Sequence, residues 1–340
     1  MAQIPAEQVP AEIVAAFLQR TGLVENLARA RLTPLTGGVA ADIWKVESGT
    51  RTFVVKKALG QLRVAQTWLA PVSRNASEVD WLREAARIVP GVVPEILASD
   101  REAGIFAMSY LDPADHPVWK QELRAGRADP DFAGRLGRIV AAIHADTHGS
   151  AEIARRFAND DTFHSIRIEP YLEATARVHT DLAGPLLALA AETLGAKRAL
   201  VHGDVSPKNI LVGPQGPVIL DAECAWYGEP AFDLAFCLNH LLLKCLWTPA
   251  SSAGFLSCFD ALAESYLAGV DWEPPDEIEA RIARLLPALF LARVDGKSPA
   301  EYITAEADRD RVRRVARPLI ATPPTRLAAI RQSWAQEISR

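Results

Sequence analysis

What is scarce in this sequence narrows its class before any motif is read. Cysteine occurs four times in 340 residues, at Cys224, Cys237, Cys245 and Cys258. All four lie in the C-terminal half without paired zinc-type spacing, which reads as reduced thiols. The chain opens Met-Ala-Gln-Ile-Pro, with no basic start leading into an apolar run, so the expected location is cytoplasmic. A membrane span needs ~20 apolar residues. The most apolar stretch, Phe232 to Trp247, is broken by Asp233, Asn239, His240 and Lys244 and reads as a buried helix. Positive charge is not in excess either: 37 Lys and Arg against 42 Asp and Glu give a formal charge of −5. That leaves no electrostatic footprint for nucleic acid or for an anionic membrane. Internal repeats and low-complexity tracts are missing, and Pro274-Pro275 and Pro323-Pro324 mark local loops. What remains, 49% hydrophobic and 23% charged residues, is an ordinary globular composition. The length suits two lobes of one functional unit.

Residues 11 to 29 carry apolar side chains at helical spacing (Ile13, Val14, Phe17, Leu18, Val24, Leu27, Ala28), which predicts a leading helical segment. From Arg31 to Lys57 the text reads as a β-meander, with Ile43, Trp44 and Val46 in one strand, a Ser48-Gly49 turn, and Phe53-Val54-Val55 in the next. A helix over Val72 to Val89 and strands at Pro94 to Leu97 and Ile105 to Leu111 complete a small mixed lobe. Beyond Pro113 the pattern is mostly helical, as in Phe132 to Ala145 and Pro185 to Leu194. One β-like insert interrupts it, Ala199 to Val201, Ile210 to Val212 and Val218 to Leu220. The expectation is an α+β fold with a leading segment (1–30), a β-rich N-lobe (31–112) and a larger helical C-lobe (113–340).

The insert carries the chemistry: His202-Gly203-Asp204-Val205-Ser206-Pro207-Lys208-Asn209, then Ile219-Leu220-Asp221-Ala222-Glu223. Phosphoryl transfer needs a carboxylate beside the acceptor hydroxyl and oxygen ligands that hold Mg2+ on the nucleotide phosphates. Asp204 suits the first task. Asn209 and Asp221, at the two ends of a short hairpin, suit the second, and Glu223 stands where a second Mg2+ contact would be. In the N-lobe, Thr36 to Ala41 offers Gly37 and Gly38 as a phosphate loop. Lys56 or Lys57 is the phosphate-binding cation, the two pointing to opposite faces of a strand, with Glu78 or Glu84 as an ion-pair partner. Glu84 also reads as a solvated helix charge. Met108-Ser109-Tyr110-Leu111 leads out of the last small-lobe strand where backbone groups would meet adenine. Asp233 heads an apolar helix as an N-cap and brace, and His144 reads as a packing residue.

These segments resemble the aminoglycoside phosphotransferase and choline kinase superfamily, whose fold is two-lobed and protein-kinase-like, over roughly residues 30–300. The carriers are His202-Gly203-Asp204, Asn209, Asp221 and Asp233-Leu234-Ala235. The resemblance implies ATP or GTP with Mg2+, Asp204 as base, Asn209 and Asp221 as metal ligands, and His202 and Asp233 as structural braces. Val55 to Leu59 with Arg63, Trp68, Arg74 and Glu78, and Asp221 to Gly228, are more specifically similar to methylthioribose kinases. That similarity favours Lys56 over Lys57 and Glu78 over Glu84, and supports Glu223 as a metal contact. It also points to Arg293 near the reacting groups; Arg167, in the Phe163 to Tyr171 stretch that reads either as an acceptor wall or as an ordinary surface helix, and Trp226 are further acceptor-side candidates. Two departures separate the chain from that pattern: Val205 to Asn209 differs from the His-Thr-Gly-Ser type of loop, and Arg293 follows Ala292 where the family pairs arginines. The expected activity is a small-molecule kinase acting on a sugar-like hydroxyl. An aminoglycoside or choline kinase and a catalytically inactive kinase-fold binding module are the rivals. No Ala-Pro-Glu segment follows Asp221, which excludes the protein-kinase pattern.

Overall fold

A computed structural model describes residues 11–35, 41–60 and 73–340. Helix α1 (Ala11–Thr21) buries Val14, Phe17 and Leu18, an i, i+3, i+4 stripe. It ends earlier than the apolar spacing suggests because Gly22 adopts φ 65°, the left-handed turn that closes a helix. The stripe packs on a sheet built from β1 (Arg31–Leu35), β2 (Ala41–Ser48), β3 (Arg51–Ala58), β4 (Ile96–Asp100) and β5 (Ile105–Ser109). All neighbouring strands are antiparallel, in the order β1-β2-β3-β5-β4. β4 starts after the Pro94-led stretch expected from sequence, since proline brings no N–H to a ladder. Alternation along β3 sends Phe53 and Val55 towards α1 with Trp44 and Val46. Val54 and Lys56 therefore face the other side, where α2 (Arg74–Ile88) lies.

The larger lobe begins with α3 (Trp119–Arg124), α4 (Pro130–Thr147), α5 (Ala151–Arg156) and α6 (Asp160–Phe163). His164–Glu173 then winds as a π-helix with Pro170 inside it, a wider turn of the kind found at functional sites. After α7 (Ala174–Val178) and α8 (Ala183–Gly195), the β-like insert closes into two ribbons. β6 (Ala199–Val201) pairs with β9 (Trp226–Gly228), and β7 (Ile210–Gly213) with β8 (Gly216–Ile219). Too short to show alternation, β9 escaped the sequence pattern.

Helix α9 (Ala231–Trp247) runs through the middle of this lobe with every residue from Ala231 to Cys245 buried. Around it pack α10 (Ser252–Leu267), α11 (Pro275–Asp295) and α13 (Leu327–Ile338), with α12 (Glu306–Ala321) against α11 on the outside. Burying both faces of α9 explains why its sequence is apolar all round without being a membrane span. Among the described residues no helix is long and apolar enough to cross a membrane. The architecture is the expected α+β one, a β-rich small lobe and a mainly helical large one.

Candidate active site

The loop between β6 and β7 is fixed from below. Val201 pairs with Trp226, which ties the loop's start to the end of the next one. Asp233, on the third residue of α9, is buried and accepts the His202 N–H at 2.8 Å and the Gly203 N–H at 2.7 Å. Its expected N-cap place is taken by Pro230, while Glu229 accepts the Ala231 N–H at 3.1 Å. His144 adds a further contact, with Nε2 3.3 Å from Asp233. Gly203 has φ 79°, and a Cβ there would lie 2.7 Å from the Cys224 carbonyl oxygen, so glycine is required. His202 Nδ1 accepts the Asp204 N–H at 3.0 Å, which places the ring proton on Nε2, 3.1 Å from the Leu220 carbonyl. Burial lowers the His202 pKa and keeps the ring neutral.

Asp204 is thereby held by its own backbone, with its carboxylate free to meet side chains. Oδ1 accepts the Ser206 hydroxyl at 3.0 Å. Oδ2 faces Arg167 Nη2 at 2.9 Å and Lys208 Nζ at 3.1 Å. Burial pushes this carboxyl up, but Lys208 and Arg167 outweigh it and hold the group below its ordinary range. Arg167 also donates from Nε to the Gly203 carbonyl, so the π-helix grips both the backbone and the side chain of the loop.

The β7–β8 ribbon sets the next pair. Its open end brings the Leu220 N–H to the Asn209 carbonyl at 2.8 Å, so Asn209 and Asp221 emerge side by side. Asn209 donates from Nδ2 to the Asp204 carbonyl at 3.1 Å, which commits its amide nitrogen. Asp221 has φ 66°, alone among the described non-glycine residues in that region, a strained backbone of the kind concentrated at functional sites. Lys56 Nζ bridges Glu78 at 2.8 Å and Asp221. Burial lowers the Lys56 pKa, but Asp221 and Glu78 more than restore it, so the ammonium stays charged. Burial likewise acts against ionisation of Asp221, while Lys56 and Lys208 hold its carboxyl well below the usual range. Glu223 pairs with the buried Arg74 Nε at 2.9 Å. Among the described residues no three His, Cys, Asp or Glu side chains gather as a metal cluster. Asn209, Asp221 and Glu223 instead form a sparse set of hard oxygen donors, which fits Mg2+ shared with phosphate oxygens.

The remaining expected residues divide. Lys57 points away, with Nζ 2.7 Å from the Ala103 carbonyl, as strand alternation requires. Met108 is half-buried in β5 opposite Val54, and the Tyr110 ring beyond it lies 4.8 Å from Lys45 Nζ. Arg293 is buried on α11, with Nη1 3.4 Å from the Tyr171 hydroxyl and 3.0 Å from Ser298 Oγ. Gly37, Gly38, Arg63 and Trp68 lie outside the described residues. Two expectations are corrected. Trp226 is wholly buried, stacked on Phe163 at 4.2 Å with its Nε1 on Asp160, so it packs the core and does not line an acceptor pocket. Glu84 is no solvated charge: it is buried between Arg87, at 2.6 Å, and Arg156.

Sequence reasoning passed over three groups. Lys208 stands four residues after Asp204, a spacing that was readable. His240 and Lys244 were read as interruptions of an apolar run, yet both are buried. Lys244 Nζ sits 4.1 Å from the Trp247 ring centre and 3.9 Å from that of Tyr302.

Methylthioribose kinase of Pectobacterium atrosepticum is 27% identical over 229 residues, covering 59% of this chain and 56% of the relative. The corresponding Escherichia coli enzyme is 28% identical over 240 residues, 62% of this chain and 57% of the relative. The chain spans about half the length of the curated relatives it matches. Among solved structures, a choline kinase from Cryptosporidium parvum aligns with a TM-score of 0.52 at 12% identity, covering 92% of this chain and 96% of that one. A choline/ethanolamine kinase family protein from Mesorhizobium loti gives 0.50 at 17%, covering 97% and 99%. An amicoumacin kinase solved with AMP-PNP and Ca2+ gives 0.50 at 14%, covering 95% and 99%. These likenesses establish the kinase-like fold. A family model for the phosphotransferase enzyme family matches residues 31–277, most of the chain including both the Lys56 strand and the Asp204 loop, and the chain belongs to that family.

Proposed function

We propose that the protein transfers the terminal phosphoryl group of ATP or GTP, with Mg2+, to a hydroxyl of a small sugar-like molecule. The observation that carries this reading is the bridge from Lys56 to Glu78 and Asp221, which joins the sheet of the small lobe to the segment after β8, hydrogen-bonded through Leu220 to Asn209 at the end of the Asp204 loop. In this reading the nucleotide lies between residues 31–112 and 113–340, with Met108 and Tyr110 at the adenine end and Gly37 and Gly38 over the phosphates. Lys56 binds phosphate oxygens, and Glu78 fixes its direction. Mg2+ held by Asn209 and Asp221 supplies charge neutralisation on the transferred group. Glu223 would join them by exchanging its ion pair with Arg74 for a contact to that ion. Asp204 accepts the proton of the attacking hydroxyl. Its low proton affinity in the resting site means that it is ionised and ready at neutral pH. Arg167 and Lys208 keep the carboxylate in place, and Lys208 is close enough to follow the moving charge. Positioning therefore carries most of the catalysis, as this reaction asks little covalent work of the protein.

The cations around Asp204 disfavour a polycationic aminoglycoside as acceptor. The methylthioribose kinase relatives favour a sugar-like molecule. Asp204→Asn is expected to keep Mg2+-dependent binding of AMP-PNP and to lower phosphoryl transfer by about a hundredfold to ten-thousandfold. Transfer at the wild-type rate in that variant removes Asp204 from the mechanism. Failure of the wild-type chain to bind AMP-PNP with Mg2+ leaves the inactive binding-module reading instead.

A further inference from the structure

Along α9, Phe236, His240 and Lys244 recur every four residues, so they share one face with steps of about 6 Å. The face starts at the catalytic loop. Arg167, which pairs with Asp204, stands 5.5 Å from the Phe236 ring centre. Tyr171 packs edge-on against Phe236 at 5.5 Å, and Arg293 reaches the Tyr171 hydroxyl. His240 meets Phe236 at 5.3 Å, and one turn further Lys244 lies against Trp247 and Tyr302.

Two polar atoms beside this face lack partners. Among the described residues Arg293 Nε and the Tyr302 hydroxyl are buried without a hydrogen bond. Among the described residues Lys244, 1% exposed, meets aromatic rings and no carboxylate, and His240 meets the Phe236 ring. Leaving a buried donor unsatisfied costs free energy, and an ammonium costs more than a neutral group. The unpaired Arg293 and Tyr302 donors, with Lys244 set against the Tyr302 ring, therefore suit a shared partner of opposite charge. The surrounding charge has the same sense: Lys208, Arg167, Arg293 and Lys120 face two carboxylates, Asp204 and Glu301, each already paired.

We propose that the acceptor carries an anionic group, a carboxylate or phosphate, and that Lys244, His240 and Arg293 bind that end while its hydroxyl faces Asp204. This rests on the phosphotransferase reading of Asp204. It names a substrate class different from both a neutral thio-sugar and a cationic antibiotic. The charge balance supports it: burial and neighbouring cations (Arg293, Lys244, Lys208 and Lys120) keep His240 neutral. Burial and Lys120, with Arg293 adding and Glu301 opposing, bring Lys244 down to about 6. A bound anion reverses that balance and draws protons onto both groups.

The test uses the full chain saturated with Mg2+ and AMP-PNP. Thermal shift and calorimetry compare the terminal phosphate ester of ribose with ribose, gluconate with glucose, and inorganic phosphate with chloride at equal ionic strength. The anionic member of each pair is expected to stabilise the complex, with proton uptake seen as buffer-dependent heat. Lys244→Met is expected to weaken that binding about tenfold or more while AMP-PNP affinity is unchanged. His240→Leu serves as the second variant. Nucleotide binding with no preference for the anions, or a preference that neither variant weakens, overturns this inference and leaves the kinase reading standing. Loss of nucleotide binding in the wild-type chain overturns both.

Discussion

Replacing Asp233 with alanine removes the acceptor that holds the catalytic loop, and the structure sets the size of the effect. Two backbone N–H groups, of His202 and Gly203, lose a charged partner and have no other listener in a fully buried site. A buried donor left unpaired costs about 1–3 kcal/mol, so the pair accounts for about 2–6 kcal/mol, a large share of the ~5–15 kcal/mol that holds a domain together. His144 adds to this, since its Nε2 loses Asp233 as well. Urea unfolding followed by circular dichroism should show the midpoint falling at constant slope. Phosphoryl transfer should drop more steeply than AMP-PNP affinity, because the loop carries Asp204 while Lys56 sits on the sheet. Asp233→Asn keeps the shape and one acceptor oxygen, and should lie between the two. A midpoint within about 0.5 kcal/mol of wild type, in the range of neutral surface changes, together with unchanged transfer in the alanine variant, would refute the brace.

Three further outcomes follow from individual contacts. Lys56→Met should weaken AMP-PNP binding about tenfold or more and destabilise the chain by leaving Glu78 as an uncompensated buried carboxylate. Adding Glu78→Gln should recover part of the stability but none of the affinity, a coupling read from a double-mutant cycle. Gly203→Ala should lower both stability and transfer, because the new methyl meets the Cys224 carbonyl at a backbone angle alanine disfavours; crystallography or denaturation would detect an accommodation that contradicts this. For Lys244, the fold lowers proton affinity to about 6 whereas the unfolded chain keeps the ordinary value near 10.5. Between these values the unfolded state holds the extra proton, so this residue makes stability rise with pH by about 1.4 kcal/mol per unit. Lys244→Met should be more stable than wild type at neutral pH, and the gap should close as pH rises; a gap independent of pH would remove the lowered proton affinity of Lys244 from the account.

The chemistry of the large lobe was legible because it is written in short intervals. Asp204, Ser206, Lys208 and Asn209 meet through contacts between near neighbours, so residue types and spacing nearly define the geometry. Lys56 and Asp221 meet across 165 positions, and no local pattern encodes that approach. Strand phase settled only which lysine faces inward. Trp226 shows the opposite failure: an aromatic beside a motif suggests a pocket wall, but a Cβ at Gly228 would fall 1.8 Å from its ring, so the side chain folds over its own strand into the core. Helix α9 shows where better reading was possible. Asp233, Asn239, His240 and Lys244 were noticed because they break an apolar run, and that observation was used only to exclude a membrane span. All four are buried, and burial makes a polar residue expensive unless it is paired. Asp233 is paired with the catalytic loop, and Asn239 with the Phe236 carbonyl through Nδ2. His240 and Lys244 meet aromatic rings instead, and in the proposal above they are the positions on this helix that face the acceptor's anionic end.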